Sequence, residues 1–397
     1  MYSNVESYNK SFKTTFEKAK GDFLYDIKAK KYIDFFTGAG TMNYGHNNKK
    51  INKAIIEYIN QNGIIHSLDM DTKEKIEFFN NFNEFILKPR NLDFKIQLCA
   101  PSGANSVEAA LKLARKVTKR RKIIAFTGSF HGMSLGALSA TANKYYKNVF
   151  FPTSEVQFLP YDGYMKGLNS LEYLKKVLKD NNSGIEIPAA IILETIQADG
   201  GVNVASNQFL QGIREICDEF GILMIVDDVQ VGNGRSGKFF SFERANIIPD
   251  MITISKAIGG GMPLSILLFK SNLDEWKKGE HTGTFRGNNL AFVSANVILK
   301  EYWSNDNFEN ELKQKIEIIE EKLNELDYPI RGYGMIWGIE LDSKKALIVR
   351  DRCFEKGLIL ELVGSNDEVV KLLPPLTIKK ENLIRGLEIL KEIIDGL

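Results

Sequence analysis

The sequence predicts an α/β protein: a mostly parallel sheet with helices on both faces, and a smaller α+β unit toward the C-terminal end. Two patterns predict it. Short apolar runs at residues 123–126, 189–193, 223–226, 251–254 and 265–269 each suit a strand buried on both faces. Helix-period segments such as 107–116 and 208–220 lie between them, and strands that alternate with helices imply a parallel sheet. The pattern then changes. Residues 307–326 read as a long charged helix, 334–341, 357–362 and 371–373 as short strands between turns, and 380–397 as a closing amphipathic helix. Strand-like stretches at 22–25 and 32–36 are expected to pack with that C-terminal unit. The expected division is a segment 1–48 that packs with the small domain, a large domain 49–299 and a small domain 300–397.

A chain of 397 residues is long enough for such a pair of units. Its 52 Lys+Arg against 50 Asp+Glu give a net charge of +2, which offers no electrostatic reason to expect nucleic acid or an acidic membrane surface as a partner. No apolar run approaches the roughly 20 residues of a membrane helix. Residues 1–6 lack the charged and apolar regions of a signal peptide. Cys99, Cys217 and Cys353 are odd in number and without metal-ligand spacing. The expectation is a cytoplasmic protein with no metal site.

In an open parallel sheet, chemistry collects at the carboxyl ends of the strands. Lys256 follows directly on the apolar run 251–254 and precedes Gly259-Gly260-Gly261. A lysine there can be desolvated, which disfavours the ammonium and frees the amine for carbonyl attack. Taken alone, the segment equally describes a surface lysine at a strand end. The run 223–226 ends in Asp227-Asp228, with Val229-Gln230 and Gly234-Arg235-Ser236-Gly237 beyond. A buried carboxylate at a strand end needs a positive partner. A protonated pyridine ring nitrogen is one such partner, and it turns the ring into an electron sink. A metal held by the Asp pair is the alternative, but no nearby His or further acid completes a ligand set. Ser102-Gly103-Ala104 opens a helix pattern, as a phosphate cradle would and as many ordinary helix caps do. Phe130, after the run 123–126, is placed to stack on a flat ring or simply to join the core.

Together these segments, in this order and over nearly the whole chain, resemble the class III (omega-type) aminotransferases of the fold-type I pyridoxal-phosphate enzymes. Gly283-Thr284-Phe285-Arg286-Gly287-Asn288 and Leu373-Pro374-Pro375-Leu376 add to the resemblance. It implies a large domain with a mostly parallel seven-stranded sheet plus a smaller α+β domain, with pyridoxal 5'-phosphate as cofactor. It assigns Lys256 as the lysine that holds the cofactor as a Schiff base and shuttles the proton. Asp227 would pair with the ring nitrogen, Gln230 would contact the ring hydroxyl, and Phe130 would stack. Ser102, Gly103 and Ala104 would bind phosphate. Thr284 would reach the phosphate of a partner subunit, which implies a homodimer, or a dimer of dimers, with its sites at the interface.

Within the class, residues 36–47, 63–70, 193–197 and 279–292 resemble the diaminobutyrate–2-oxoglutarate transaminase branch associated with ectoine biosynthesis. The implied reaction moves the amino group of L-glutamate to L-aspartate 4-semialdehyde, both small molecules, in a ping-pong cycle. Other class III ω-aminotransferases, of the ornithine, acetylornithine or 4-aminobutyrate type, and aminomutases share most of these features. A catalytically dead binding protein would have no need of Lys256, Asp227 and Gln230. Two departures from the class pattern bear on the substrate. Lys371 stands where the class usually has Arg, and Asp199 where it commonly has Glu. Asp199 and Lys371 are expected to form a switchable pair of shorter reach than Arg and Glu would. Arg286 is the candidate for the second carboxylate of glutamate, with a structural ion pair as the alternative. Glu194 completes the expected substrate set. His46 and His131 are expected to be structural hydrogen bonders.

Overall fold

The computed structural model describes Val5, residues 11–147 and residues 155–397. Apart from Val5, the residues behind the signal-peptide reading therefore lie outside the described residues.

Strands β1 (Phe16–Lys20), β2 (Phe23–Asp26) and β3 (Lys31–Asp34) form an antiparallel ribbon at the N-terminal end. Strands β4 (Phe94–Cys99), β5 (Ile123–Phe126), β6 (Val156–Leu159) and β7 (Ala190–Leu193) follow, then a two-stranded hairpin of β8 (Ile196–Gln197) and β9 (Asn203–Val204). Next come β10 (Leu223–Asp227), β11 (Met251–Ile254) and β12 (Ser265–Lys270). The seven long strands make one sheet in the order β4-β12-β11-β10-β7-β5-β6. All its pairings are parallel except those of β12, which runs against both neighbours. The mostly parallel seven-stranded sheet is therefore present as expected.

Its central strands are continuous apolar runs because helices cover both faces. Every residue of β5, β7 and β11 is buried. Each fully buried aliphatic side chain contributes about 1.5–3 kcal/mol relative to exposure. Helix Gly103–Thr118 lays Ala109, Ala110, Leu113 and Ala114 on the sheet, and the small alanines let it approach closely. Helix Asn207–Phe220 starts where Ser206 accepts the Phe209 amide at 3.1 Å, and stops at Gly221 in the left-handed region (φ 59°), which glycine enters without a Cβ penalty.

The C-terminal part carries β13 (Ile330–Tyr333), β14 (Ile336–Glu340), β15 (Leu358–Ile359), β16 (Glu361–Val363) and β17 (Val369–Leu372). Three details differ from the sequence expectation. The charged helix ends at Leu323, with Asn324 as its cap, where the periodicity runs on to 326. The apolar run 334–341 forms a strand only from Ile336, because Gly334 (φ 67°) turns the chain between β13 and β14. The run 357–362 is shared between two sheets. Leu358 and Ile359 pair with β3 of the N-terminal ribbon, and β16 pairs with β17 in the order β13-β14-β17-β16. Arg235 joins the two parts of the chain: fully buried, it donates to the carbonyls of Met335 (2.9 Å) and Pro374 (2.6 Å) and to Asn43. No helix among the described residues is long and apolar enough to cross a membrane.

Candidate active site

Four neighbouring parallel strands deliver their following residues to one place. Lys256 lies just past β11, Asp227 ends β10, Glu194 follows β7, and Phe130 stands on the loop after β5. All four line a cavity of about 150 Å³ together with Gly103, Ala104, His131, Gly132, Asp199, Val229, Gln230 and Val231. The carboxyl-edge rule thus places the site, and sheet order decides which side chains face one another.

Lys256 has φ 50°, a left-handed conformation that costs a side-chain-bearing residue about 1–2 kcal/mol. The short turn Lys256–Gly259 is closed by Gly260 and Gly261, both in the left-handed region. Strain held at a cavity lysine points to use of its amine rather than to a surface role. Burial pushes its ammonium below the usual lysine range, against the raising charge of Asp199. The amine is thereby made available as a base and nucleophile.

Asp227 is fixed from three sides. Its Oδ1 accepts the Thr253 hydroxyl at 3.0 Å and the Val229 amide at 3.2 Å, and its Oδ2 lies 2.7 Å from His131 Nδ1. His131 Nε2 is buried without a hydrogen-bond partner. The sequence predicts a structural hydrogen bonder at His131. It is one, but it also lines the cavity and orients the acid, which only the approach of the 127–132 loop to the end of β10 brings about. His46, by contrast, lies 2.6 Å from Asp34, among residues outside the cavity lining.

Gly103 and Ala104 begin helix Gly103–Thr118, and Ser102 caps it without a side-chain bond to a first-turn backbone amide. The Ser102 hydroxyl donates instead to Asn105 Oδ1 at 2.7 Å. Gly103 and Ala104 line the cavity at the positive end of the helix dipole, and the Ser102 side chain does not cap their amides. A Cβ at Gly103 would meet Val229 Cγ1 at 2.7 Å, so only glycine fits this close approach. Ser102 itself is not part of the cavity lining.

At the other end, Asp199 sits in the turn between β8 and β9. Lys371, on β17, is fully buried. It bonds Asp199 Oδ1 at 2.8 Å and Gln230 Oε1 at 3.1 Å, and pairs with Glu361 Oε2 at 2.9 Å. Burial alone would raise the Asp199 pKa, but the charges of Lys371 and Lys256 hold it at about 2. Burial would likewise lower the Lys371 ammonium, yet Asp199 and Glu361 raise it above the usual range. Glu194 accepts the Phe130 amide at 2.9 Å, and burial, then the charge of Asp227, raise its carboxyl well above the usual range.

Thr284 and Arg286 share the short turn Thr284–Gly287, outside the cavity lining. Arg286 is engaged by Asp69, with Thr282 Oγ1 at 3.1 Å from its Nε. Within its own chain it therefore makes the ion pair that stood as the alternative. Glu361 and Tyr146 escaped sequence reading. Tyr146 stands edge-on to Phe130 with ring centroids 5.8 Å apart, and no motif marks it.

Asp228 faces away from the cavity. It accepts the Ser241 amide at 2.9 Å and the Ser241 hydroxyl, which in turn takes the Thr195 hydroxyl at 2.6 Å. Burial lifts its pKa to about 7. An acid whose folded pKa is raised holds its proton more tightly when folded, so its contribution to stability falls as pH rises from about 4 to about 7. Asp228→Asn is expected to remove a few kcal/mol of that pH dependence. Denaturant melts of both proteins at about pH 5 and pH 8 check it; parallel pH profiles would contradict it.

A desolvated strand-end lysine opposite a fixed carboxylate, with open helix amides between, suits a ring that carries both a basic nitrogen and a phosphate. That is the constellation of a pyridoxal-phosphate enzyme. The chain belongs to the class-III aminotransferases, whose family model matches residues 4–394, and members of this class work with pyridoxal phosphate. It is 50% identical over 402 residues to the diaminobutyrate–2-oxoglutarate transaminase of Wolinella succinogenes, covering 99% of this chain and 94% of that one. The enzyme of the same name from Halalkalibacterium halodurans is also 50% identical, over 406 residues, covering 100% of this chain and 95% of that one. A Bacillus anthracis aminotransferase of known structure superimposes with a TM-score of 0.88 at 25% identity, covering 100% of this chain and 96% of that one.

Proposed function

We propose that the chain transfers the amino group of L-glutamate to L-aspartate 4-semialdehyde, giving L-2,4-diaminobutyrate and 2-oxoglutarate. The observation that carries this reading is the full-length identity of about half to two proteins of that printed name. When bound, pyridoxal phosphate supplies the electron sink and carries the amino group between the two half-reactions. The chain's residues do the rest. Lys256 takes the proton from the carbon that bears the amine and returns it on the far side of the transfer. Asp227, steadied by His131 and Thr253, keeps a proton on the ring nitrogen. Gly103 and Ala104 hold the phosphate through their amides, with Ser102 at the helix cap. Phe130 covers the ring face, and Gln230 meets the ring hydroxyl. Purified protein offered glutamate and the semialdehyde should form diaminobutyrate; failure to do so while another amine is consumed would redirect the reading to another ω-aminotransferase.

The functional unit in this reading is a cytoplasmic homodimer with no nucleic-acid or membrane partner. The buried, free state of Cys99, Cys217 and Cys353 supports the compartment. Thr284 would serve the phosphate of the partner's site, since its turn lies outside the cavity of its own chain. Arg286, two residues on, would bind the second carboxylate of glutamate there. Residues 1–48 and 300–397 would form the small domain beside the large domain 49–299, which the pairing of β3 with β15 supports.

A hydrogen bond to a charged group contributes about 1.5–3 kcal/mol. Arg286→Gln is therefore expected to raise the glutamate KM roughly ten- to a hundredfold at unchanged Tm. A lowered Tm with an unchanged KM would make the Asp69 pair its whole role. Lys371→Ala should raise the same KM, but it should also lower the Tm, because Asp199 and Glu361 lose their counter-charge.

A further inference from the structure

Lys371 lies between two carboxylates. Glu361 faces it directly across β16 and β17, where the register pairs the two residues, so their side chains share one face of the sheet. The other cross-strand neighbour of Lys371 is Gly338, which contributes no side chain. Asp199 reaches the same ammonium from the β8–β9 turn, whose carbonyl accepts the Gly364 amide at 3.1 Å. Gln230 Oε1 is the second hydrogen-bond acceptor of Lys371, whereas Glu361 Oε2, 2.9 Å from the ammonium, is buried and accepts no hydrogen bond. The cluster has one cation and two anions, a net charge of −1. It meets the cavity through Asp199, which lines it, while Glu361 and Lys371 stand behind; the charges of Glu361 and Asp199 both act on Lys256 and on the Tyr146 phenol.

Such a cluster treats two kinds of ligand differently. A carboxylate arriving alone must detach Lys371 from an acid and adds a second net negative charge. An ammonium meets two acids that share a single counter-ion. We infer that Glu361, with Asp199, is a specificity-determining residue that receives the α-ammonium at the distal end of a diamino-acid substrate whose other amine is transferred. This rests on the proposed function and deepens it. It also divides the work between the two substrates: the acid pair reads the α-ammonium that diaminobutyrate and its aldehyde carry, and Lys371 reads the carboxylate of glutamate once Glu361 releases it.

The test compares two amino donors that differ only in that ammonium. L-2,4-Diaminobutyrate and 4-aminobutyrate are each offered with 2-oxoglutarate to the purified holoenzyme. The wild type is expected to favour diaminobutyrate in kcat/KM by about tenfold or more, the worth of one charge-assisted contact. Glu361→Gln should lower that ratio about tenfold, while the glutamate KM stays level or falls, because Lys371 loses a competitor. Glu361→Asp should keep most of the preference. A general structural defect would instead raise the glutamate KM and weaken both donors alike. A wild-type ratio near one overturns the inference without any variant. A wild type active on diaminobutyrate whose preference survives Glu361→Gln overturns it alone. A wild type that transfers neither amine overturns both this inference and the reading beneath it.

Discussion

Lys256→Ala is expected to lower kcat by about a thousandfold, within the 10²–10⁴ range that a positioned acid–base group contributes. The loss is expected without loss of stability. Alanine at φ 50° bears the same backbone strain as lysine, and the variant removes an ammonium that burial already disfavours. The Tm should therefore hold or rise while turnover collapses. Steady-state kinetics beside a thermal melt checks both. A variant that keeps turnover within about threefold of wild type would move the proton transfer to another group, and Glu194, in the same cavity with its carboxyl raised above the usual range, would be the next to test.

Asp227→Asn is expected to cost about 10²–10³-fold in kcat, the scale of losing one preorganised electrostatic partner, and to weaken cofactor retention on dialysis. The amide is nearly isosteric and can still accept the Thr253 hydroxyl and the Val229 amide, held at 3.0 and 3.2 Å in the wild type. Folding should survive, and what is lost is the negative charge facing a ring proton. Unchanged retention and turnover would reduce Asp227 to an anchor for His131. The two variants fail differently: Lys256→Ala removes both the proton carrier and the covalent hold on the cofactor, whereas Asp227→Asn keeps the lysine and loses the charge that faces the ring nitrogen.

The parts of the site that lie on single segments were legible in the sequence. Lys256 after β11, Asp227 at the end of β10 and Gly103-Ala104 at a helix start each sit where a local pattern changes period, and that change is written in neighbouring residues. The parts formed by register were not. Glu361 and Lys371 are ten positions apart in the chain and become partners only because β16 and β17 pair with these residues opposed. His131 reaches Asp227 because β5 lies beside β7 and β7 beside β10, an order that no local window contains.

By itself, then, the sequence determined most of the elements, the strand-end positions of Lys256 and Asp227 and the family, because buried strands, helix starts and a lysine before glycines are short-range consequences of burial and backbone geometry. Tertiary structure alone decided that the run 357–362 divides between two sheets and that Lys371 is shared by two acids rather than one. It also decided that Arg286 is taken up by Asp69 outside its own cavity. Each of these depends on which distant residues face each other. That is fixed by sheet register and packing, which sum small contributions over the whole core and leave no mark on any single segment.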